Sequence, residues 1–248
     1  MVEKSHSSRP PLLLVHGFRG SPKGLEEIAS FLKTAGYPVF LPEIPPTGKN
    51  NSLPDYSPES YSNFLKNYLS VNEINQPILV GHSMGSIICT AFAEKNPDLI
   101  NKKLILLSPI VSKVSKPLAS LSSLITILPN RPIDHITFNY LYVGKGKERS
   151  VRKKAWSLSK TKKSDFSSNR DLKASAKFSS SFSIADFNFK KDCLFILGDK
   201  DRLVSLKKLA PVANKLNAKV EIIKNSGHIM TYEDPKLIAE KIRQFIEA

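Results

Sequence analysis

A serine flanked by glycines, Gly81-His82-Ser83-Met84-Gly85, joins an apolar strand-like run ending at Val80 to a helix-like run, Met84–Lys95. Such a turn holds its serine in a strained backbone conformation. Glycine is required at its flanks because strand and helix come too close there for a Cβ. The hydroxyl is lifted clear of the sheet, beside a helix N-terminus that favours developing negative charge. A serine presented in this way suits attack on an acyl carbonyl, provided that a base takes its proton and a carboxylate orients the base. Chance alone would produce the bare pattern in about one chain of this length in twelve, so its partners must decide. Two carboxylates, Asp199 and Asp201, follow the apolar run 193–197, and His228 lies in Ser226-Gly227-His228 after the run Lys219–Ile223. Serine, acid and histidine therefore occur in that order, each just past the end of a strand. Either aspartate could serve as the acid.

The elements that must position these groups are legible around them. Residues 11–15 form an apolar run suited to a strand buried on both faces, and it ends in the glycine-rich loop His16-Gly17-Phe18-Arg19-Gly20. Ser21-Pro22 reads as an N-cap followed by proline at the first helical position, opening a helix to about Thr34 that Gly36 stops. A strand over 37–41 leads into a proline-rich loop, 42–54, and a helix over 58–69 carries Tyr61, Phe64, Leu65, Tyr68 and Leu69 on one face. Strands are expected at 78–80, Lys103–Leu107, 193–197 and Lys219–Ile223, and helices at Met84–Lys95, 206–216 and Pro235–Glu247. Short apolar strands alternating with amphipathic helices predict an α/β fold with a mostly parallel sheet covered on both faces. Functional loops then gather at the carboxyl ends of the strands.

The set of motifs resembles the α/β-hydrolase superfamily, in its carboxylesterase and monoacylglycerol-lipase-like branch. The matching pieces are Leu14-Val15-His16-Gly17-Phe18-Arg19-Gly20-Ser21, the Ser83 pentapeptide, Gly198-Asp199-Lys200-Asp201-Arg202-Leu203-Val204, and Ser226-Gly227-His228. They run from residue 12 to the end, interrupted by one insertion. The chain order Ser…Asp…His is that of this superfamily. The resemblance implies Ser83 as nucleophile, His228 as base and Asp201 as the acid, because the family spacing from glycine through aspartate to an apolar pair matches Leu203-Val204. It also implies an oxyanion hole built from the backbone N–H groups of Phe18 and Met84, and a helical cap at the insertion. His16 and His82 are then packing and hydrogen-bonding residues around the loop and the turn. The loop after Leu41 departs from the family's glycine-histidine-glycine, reading Pro42-Glu43-Ile44-Pro45-Pro46-Thr47-Gly48, which weakens any transfer of substrate. The antiparallel strands that many members carry at the N-terminus are not expected, because about ten residues precede the first core strand.

This division gives a hydrolase core over 1–109 and 192–248 and a basic helical cap over 110–191, with helices expected at 119–128, 148–158 and 171–178. The chain has 248 residues and a formal charge of +15. Residues 110–192 carry +11 of that excess, and their composition is rich in serine. Trp156 and the phenylalanines of the cap are suited either to lining an acyl pocket or to forming the cap's own small core. The five histidines and two cysteines show no metal-ligand spacing, and no cofactor motif is present. Cys89 and Cys193 read as core residues of a reducing, cytoplasmic compartment, with no secretory signal and no membrane span.

The expected reaction is hydrolysis of a small-molecule carboxylic ester, such as a monoacylglycerol or lysophospholipid, without metal or cofactor. The same residues serve acyltransferases, thioesterases and lactonases, and a non-catalytic ligand-binding protein of this fold is the alternative of another class. The basic cap favours peripheral contact with anionic lipid. Nucleic acid is not an expected partner, since no recognition motif accompanies the charge. Substrate chain length and oligomeric state are not encoded in any pattern of this kind.

Overall fold

The computed structural model describes residues 9–48, 51–113, 143–144, 149–159 and 165–248. Six parallel strands form one sheet among these residues, in the order β2-β1-β3-β4-β5-β6. They are β1 (Leu12–Val15), β2 (Val39–Phe40), β3 (Ile78–His82), β4 (Lys103–Leu107), β5 (Asp192–Gly198) and β6 (Lys219–Ile223). The sequence order reverses beside β1, and the carboxyl ends of β1, β3, β5 and β6 carry the loops named above.

The alternation along each strand decides which layer a side chain joins. Leu13, Val15, Leu79, Leu104, Leu106, Phe195 and Leu197 pack with α2 (Pro58–Val71) and α3 (Met84–Lys95) on one face. Leu12, Leu14, Ile78, Val80, Ile105, Leu107, Leu194 and Ile196 face the other layer, where α1 (Glu26–Thr34) meets the C-terminal helix. Both faces are covered, which is why the strands are continuously apolar rather than alternating. Helix α3 is buried along nearly its whole length, from Met84 to Ala93, so it has no polar face and serves as the core's central rod.

Helix boundaries follow local chemistry. Ser57 caps α2 by accepting the Ser60 N–H at 3.1 Å, with Pro58 at the first helical position. The expected continuous helix from Pro22 is instead a 3-10 turn, Pro22–Gly24, followed by α1, and Ser21 makes no side-chain cap bond. Gly24 at this break lies against the hydroxyl of Tyr232, where any Cβ would collide. Gly36, with φ +88°, ends the segment as expected.

Between β4 and β5 the described insertion contains α4 (Arg149–Ser159) and α5 (Asn169–Ser181), close to two of the three helices expected there. The third, over 119–128, and the side chain of Trp156 lie outside the described residues. Phe178 of α5 enters the main core and packs on Tyr61 of α2 with ring centroids 4.6 Å apart. The remaining helices are α6 (Leu206–Lys215), α7 (Met230–Glu233) and α8 (Pro235–Glu247). None of the described helices is long and apolar enough to cross a membrane.

Candidate active site

The turn after β3 is closed by backbone against backbone. A Cβ on Gly81 would stand 2.5 Å from the Gly85 carbonyl oxygen, and one on Gly85 would run into the carbonyl of Val15 and come within 2.8 Å of that of His16. Neither obstacle can swing away as a side chain would. Ser83 between them is held at φ 52° and ψ −118°, a conformation that costs a non-glycine residue about 1–3 kcal/mol and persists only where its surroundings enforce it. Its N–H is anchored to the Leu107 carbonyl of β4 at 3.0 Å. Although Ser83 occupies the N-cap position of α3, its hydroxyl does not cap that helix.

The hydroxyl turns instead to His228. Ser83 Oγ lies 2.9 Å from His228 Nε2, and His228 Nδ1 lies 3.0 Å from Asp201 Oδ2. With a carboxylate facing Nδ1, that nitrogen carries the proton and donates it, which leaves Nε2 to accept from the serine hydroxyl. The other Asp201 oxygen, Oδ1, accepts the N–H groups of Leu203 and Val204 at 2.8 and 2.9 Å. Burial pushes the Asp201 carboxyl upward, but the field of the imidazole, its hydrogen bond and the Val204 N–H outweigh it and hold the group below its ordinary value. The structure thus separates the two aspartates. Asp199 pairs with Lys200 at 2.9 Å, whereas Asp201 is the carboxylate at His228.

The other two histidines near the site are fixed as neutral rings by their bonds. His16 Nε2 accepts the Ile44 N–H at 3.0 Å, so Nδ1 must carry the hydrogen that it donates to the Gly17 carbonyl at 2.9 Å. His82 Nε2 faces the His228 carbonyl oxygen at 2.9 Å and must therefore be the protonated nitrogen of its ring. Burial lowers both to about 4, with the nearby His228 adding to the effect at His82. His82 thereby grips the backbone of the residue whose ring faces Ser83.

The glycine-rich loop after β1 closes the site from the side. A Cβ on Gly17 would lie 3.0 Å from that of Ser83 and 3.1 Å from the His82 carbonyl, so the loop runs directly over the serine. Phe18 follows Gly17, and Met84 follows Ser83 at the first turn of α3. Among the described residues neither backbone N–H donates to a protein acceptor. The proline-rich loop supports this arrangement from behind. Thr47 Oγ1 donates to the Gly20 carbonyl at 2.9 Å, and Thr47 also bridges to Phe166 of the insertion.

Sequence reasoning passed over two buried polar residues. Ser86 Oγ donates to the Ser83 carbonyl at 2.6 Å and accepts the Ile110 N–H at 3.1 Å, tying the turn to the start of the insertion. A serine in the first turn of an apolar helix was the available signal. The second is Glu233, which joins Gly227, six residues before it, to Gly144, 89 residues away.

Residues 10–151 match the family of the alpha/beta hydrolase fold, and the chain belongs to it. Over 96% of its length it is 26% identical to an uncharacterised hydrolase, YugF, of Bacillus subtilis, spanning 90% of that protein. It is 24% identical to a Mycoplasma pneumoniae protein provisionally named esterase/lipase 2, over 98% of this chain and 91% of the relative. Among solved structures, an esterase from Exiguobacterium antarcticum matches with a TM-score of 0.83, covering 98% of this chain and 93% of that one at 18% identity. That likeness bears on the fold.

Proposed function

We propose that the protein hydrolyses carboxylic esters through an acyl-enzyme formed on Ser83. The carrying observation is the line of contacts from Ser83 Oγ through His228 to Asp201, at 2.9 and 3.0 Å. In the first half-reaction Ser83 Oγ bonds to the ester carbonyl carbon while its proton passes to His228 Nε2. Asp201, kept ionised, stabilises the imidazolium and holds its orientation. The negative charge that develops on the carbonyl oxygen meets the N–H groups of Phe18 and Met84, each such donor being worth about 3–4 kcal/mol in a transition state. Collapse breaks the ester C–O bond, and the leaving alkoxide takes the proton from His228. Water then repeats the sequence, giving its proton to His228 and its oxygen to the acyl carbon, and Ser83 leaves with the proton restored. Neither a metal nor a cofactor takes part. The insertion acts as a cap, its Ser175 reaching Met84 Sδ beside the nucleophile at 3.5 Å and its Phe178 packing on Tyr61 of α2. The esterase and lipase names of the relatives support the same reading.

Ser83→Ala removes the nucleophile and is expected to abolish turnover of short p-nitrophenyl esters and labelling by a fluorophosphonate, with the fold retained by circular dichroism. In the same assay Asp201→Asn lowers kcat by about 10³–10⁴, while Asp199→Asn stays near the parent. Undiminished turnover by Ser83→Ala sinks the reading, and equal losses at both aspartates would undo the assignment of the acid.

A further inference from the structure

Glu233 ends α7 with only 7% of its surface exposed. A buried carboxylate carries a desolvation cost that only good partners offset, and its position shows where they come from. Both of its oxygens accept the Gly227 N–H, each at 3.2 Å, and both accept the Gly144 N–H, at 3.2 and 3.1 Å. Gly227 immediately precedes His228. Gly144 belongs to the insertion, and a Cβ there would stand 2.8 Å from Glu233 Oε2 and run into the Asn225 carbonyl. A side chain at position 144 would therefore have to displace the carboxylate or the Asn225 carbonyl. On its remaining sides the same loop is held by the end of β5, where the Lys200 N–H donates to Ser226 at 2.9 Å, and by His82 on the His228 carbonyl.

We propose that Glu233 is a positioning residue that couples the insertion to the base of the reaction, one carboxylate setting the Gly227–His228 backbone and the Gly144 segment in a common register. The inference rests on the reading of His228 as the base in ester hydrolysis. Displacing Gly144 moves the carboxylate, the carboxylate moves the Gly227 N–H, and the imidazole leaves its place beside Ser83 Oγ. Misplacements of about 1 Å can lower a rate by about 100-fold even when they start away from the reacting atoms.

Glu233→Gln leaves one neutral oxygen for two donors and turns an NH2 group toward them. We expect kcat per fluorophosphonate-titrated serine to fall about 10- to 100-fold, with KM changed far less. Counting reactive sites separates this from a merely destabilised fold, which would lower the number of sites and not the turnover of each. Gly144→Ala, whose methyl would meet both Glu233 Oε2 and the Asn225 carbonyl, should lower the same per-site kcat, and the double variant should lose little beyond the larger single effect. Unchanged per-site kcat in Gly144→Ala, or additive losses, would overturn the coupling. Amide exchange at Gly227 should quicken in both variants by NMR. That readout needs no ester turnover, so protected exchange refutes the link, while failure of the parent to turn over esters refutes the reaction.

Discussion

Three imidazoles surround Ser83, and their bonds assign them different duties. His16 and His82 spend both burial and hydrogen bonds on holding backbone, and each remains neutral down to about 4. An unfolded histidine titrates near 6.5. Between those values the unfolded chain binds protons that the folded chain refuses, so the stability from these two rings is fully present above about pH 6.5 and is lost as pH falls toward 4. The loss is about 3 kcal/mol per histidine at full extent, from 1.36 kcal/mol for each pKa unit. Urea unfolding at pH 7.0 and pH 4.5 should show a clear drop, and His16→Gln should remove about half of it; a flat profile would contradict buried neutral rings. The residue types at these positions were legible as packing groups beside the site. Their tautomers were not, because these depend on the Ile44 N–H and the His228 carbonyl, which lie far away in sequence.

At the scale of elements, the interlock of β3 and α3 is the least tolerant part of the fold. Gly81→Ala would place a methyl 2.5 Å from the Gly85 carbonyl and 2.9 Å from Cys89 Sγ. Overpacking of this kind is expected to lower stability by about 1–3 kcal/mol or more, read as a reduced urea midpoint; an unchanged midpoint would mean that the turn has slack. This requirement for glycine was readable in advance, as were the apolar strand at Lys103–Leu107, the apolar helix Met84–Lys95 and the amphipathic helix Pro235–Glu247, whose local patterns agree with their tertiary setting. Other features were hidden for physical reasons. The four residues of α7 are too few to show a period, and the need for glycine at position 24 comes from Tyr232, more than 200 residues away. The roles of Glu233 at Gly144 and of Thr47 at Phe166 arise from contacts across the insertion, where local composition says little about partners.

For the whole molecule, the charge imbalance is the largest unexplained quantity in the sequence, and the described part of the insertion displays it on its surface. Arg149, Arg152, Lys153 and Lys154 are exposed on α4, and Arg170, Lys173 and Lys177 on α5. Only Lys154 among these has an acidic partner in an ion pair, with Glu27, among the described residues. We propose that these exposed basic residues meet anionic lipid, at roughly 1 kcal/mol for each one near such a surface. Vesicles containing phosphatidylserine should co-sediment the protein at low salt and release it as salt screens the attraction. Equal binding to neutral vesicles, or no response to salt, would count against that role.

The closure of the Ser83 turn has one more consequence. The turn around residue 83 is closed mostly by main chain: two glycines and the carbonyls of Val15, His16 and Gly85, with Cys89 Sγ behind Gly81. The hydroxyl at 83 does not cap α3 and is turned to His228. The turn is therefore a socket that separates the presentation of a reactive group from the identity of that group. Side chains of similar size can be exchanged at position 83, while exchange of either flanking glycine strains the turn itself.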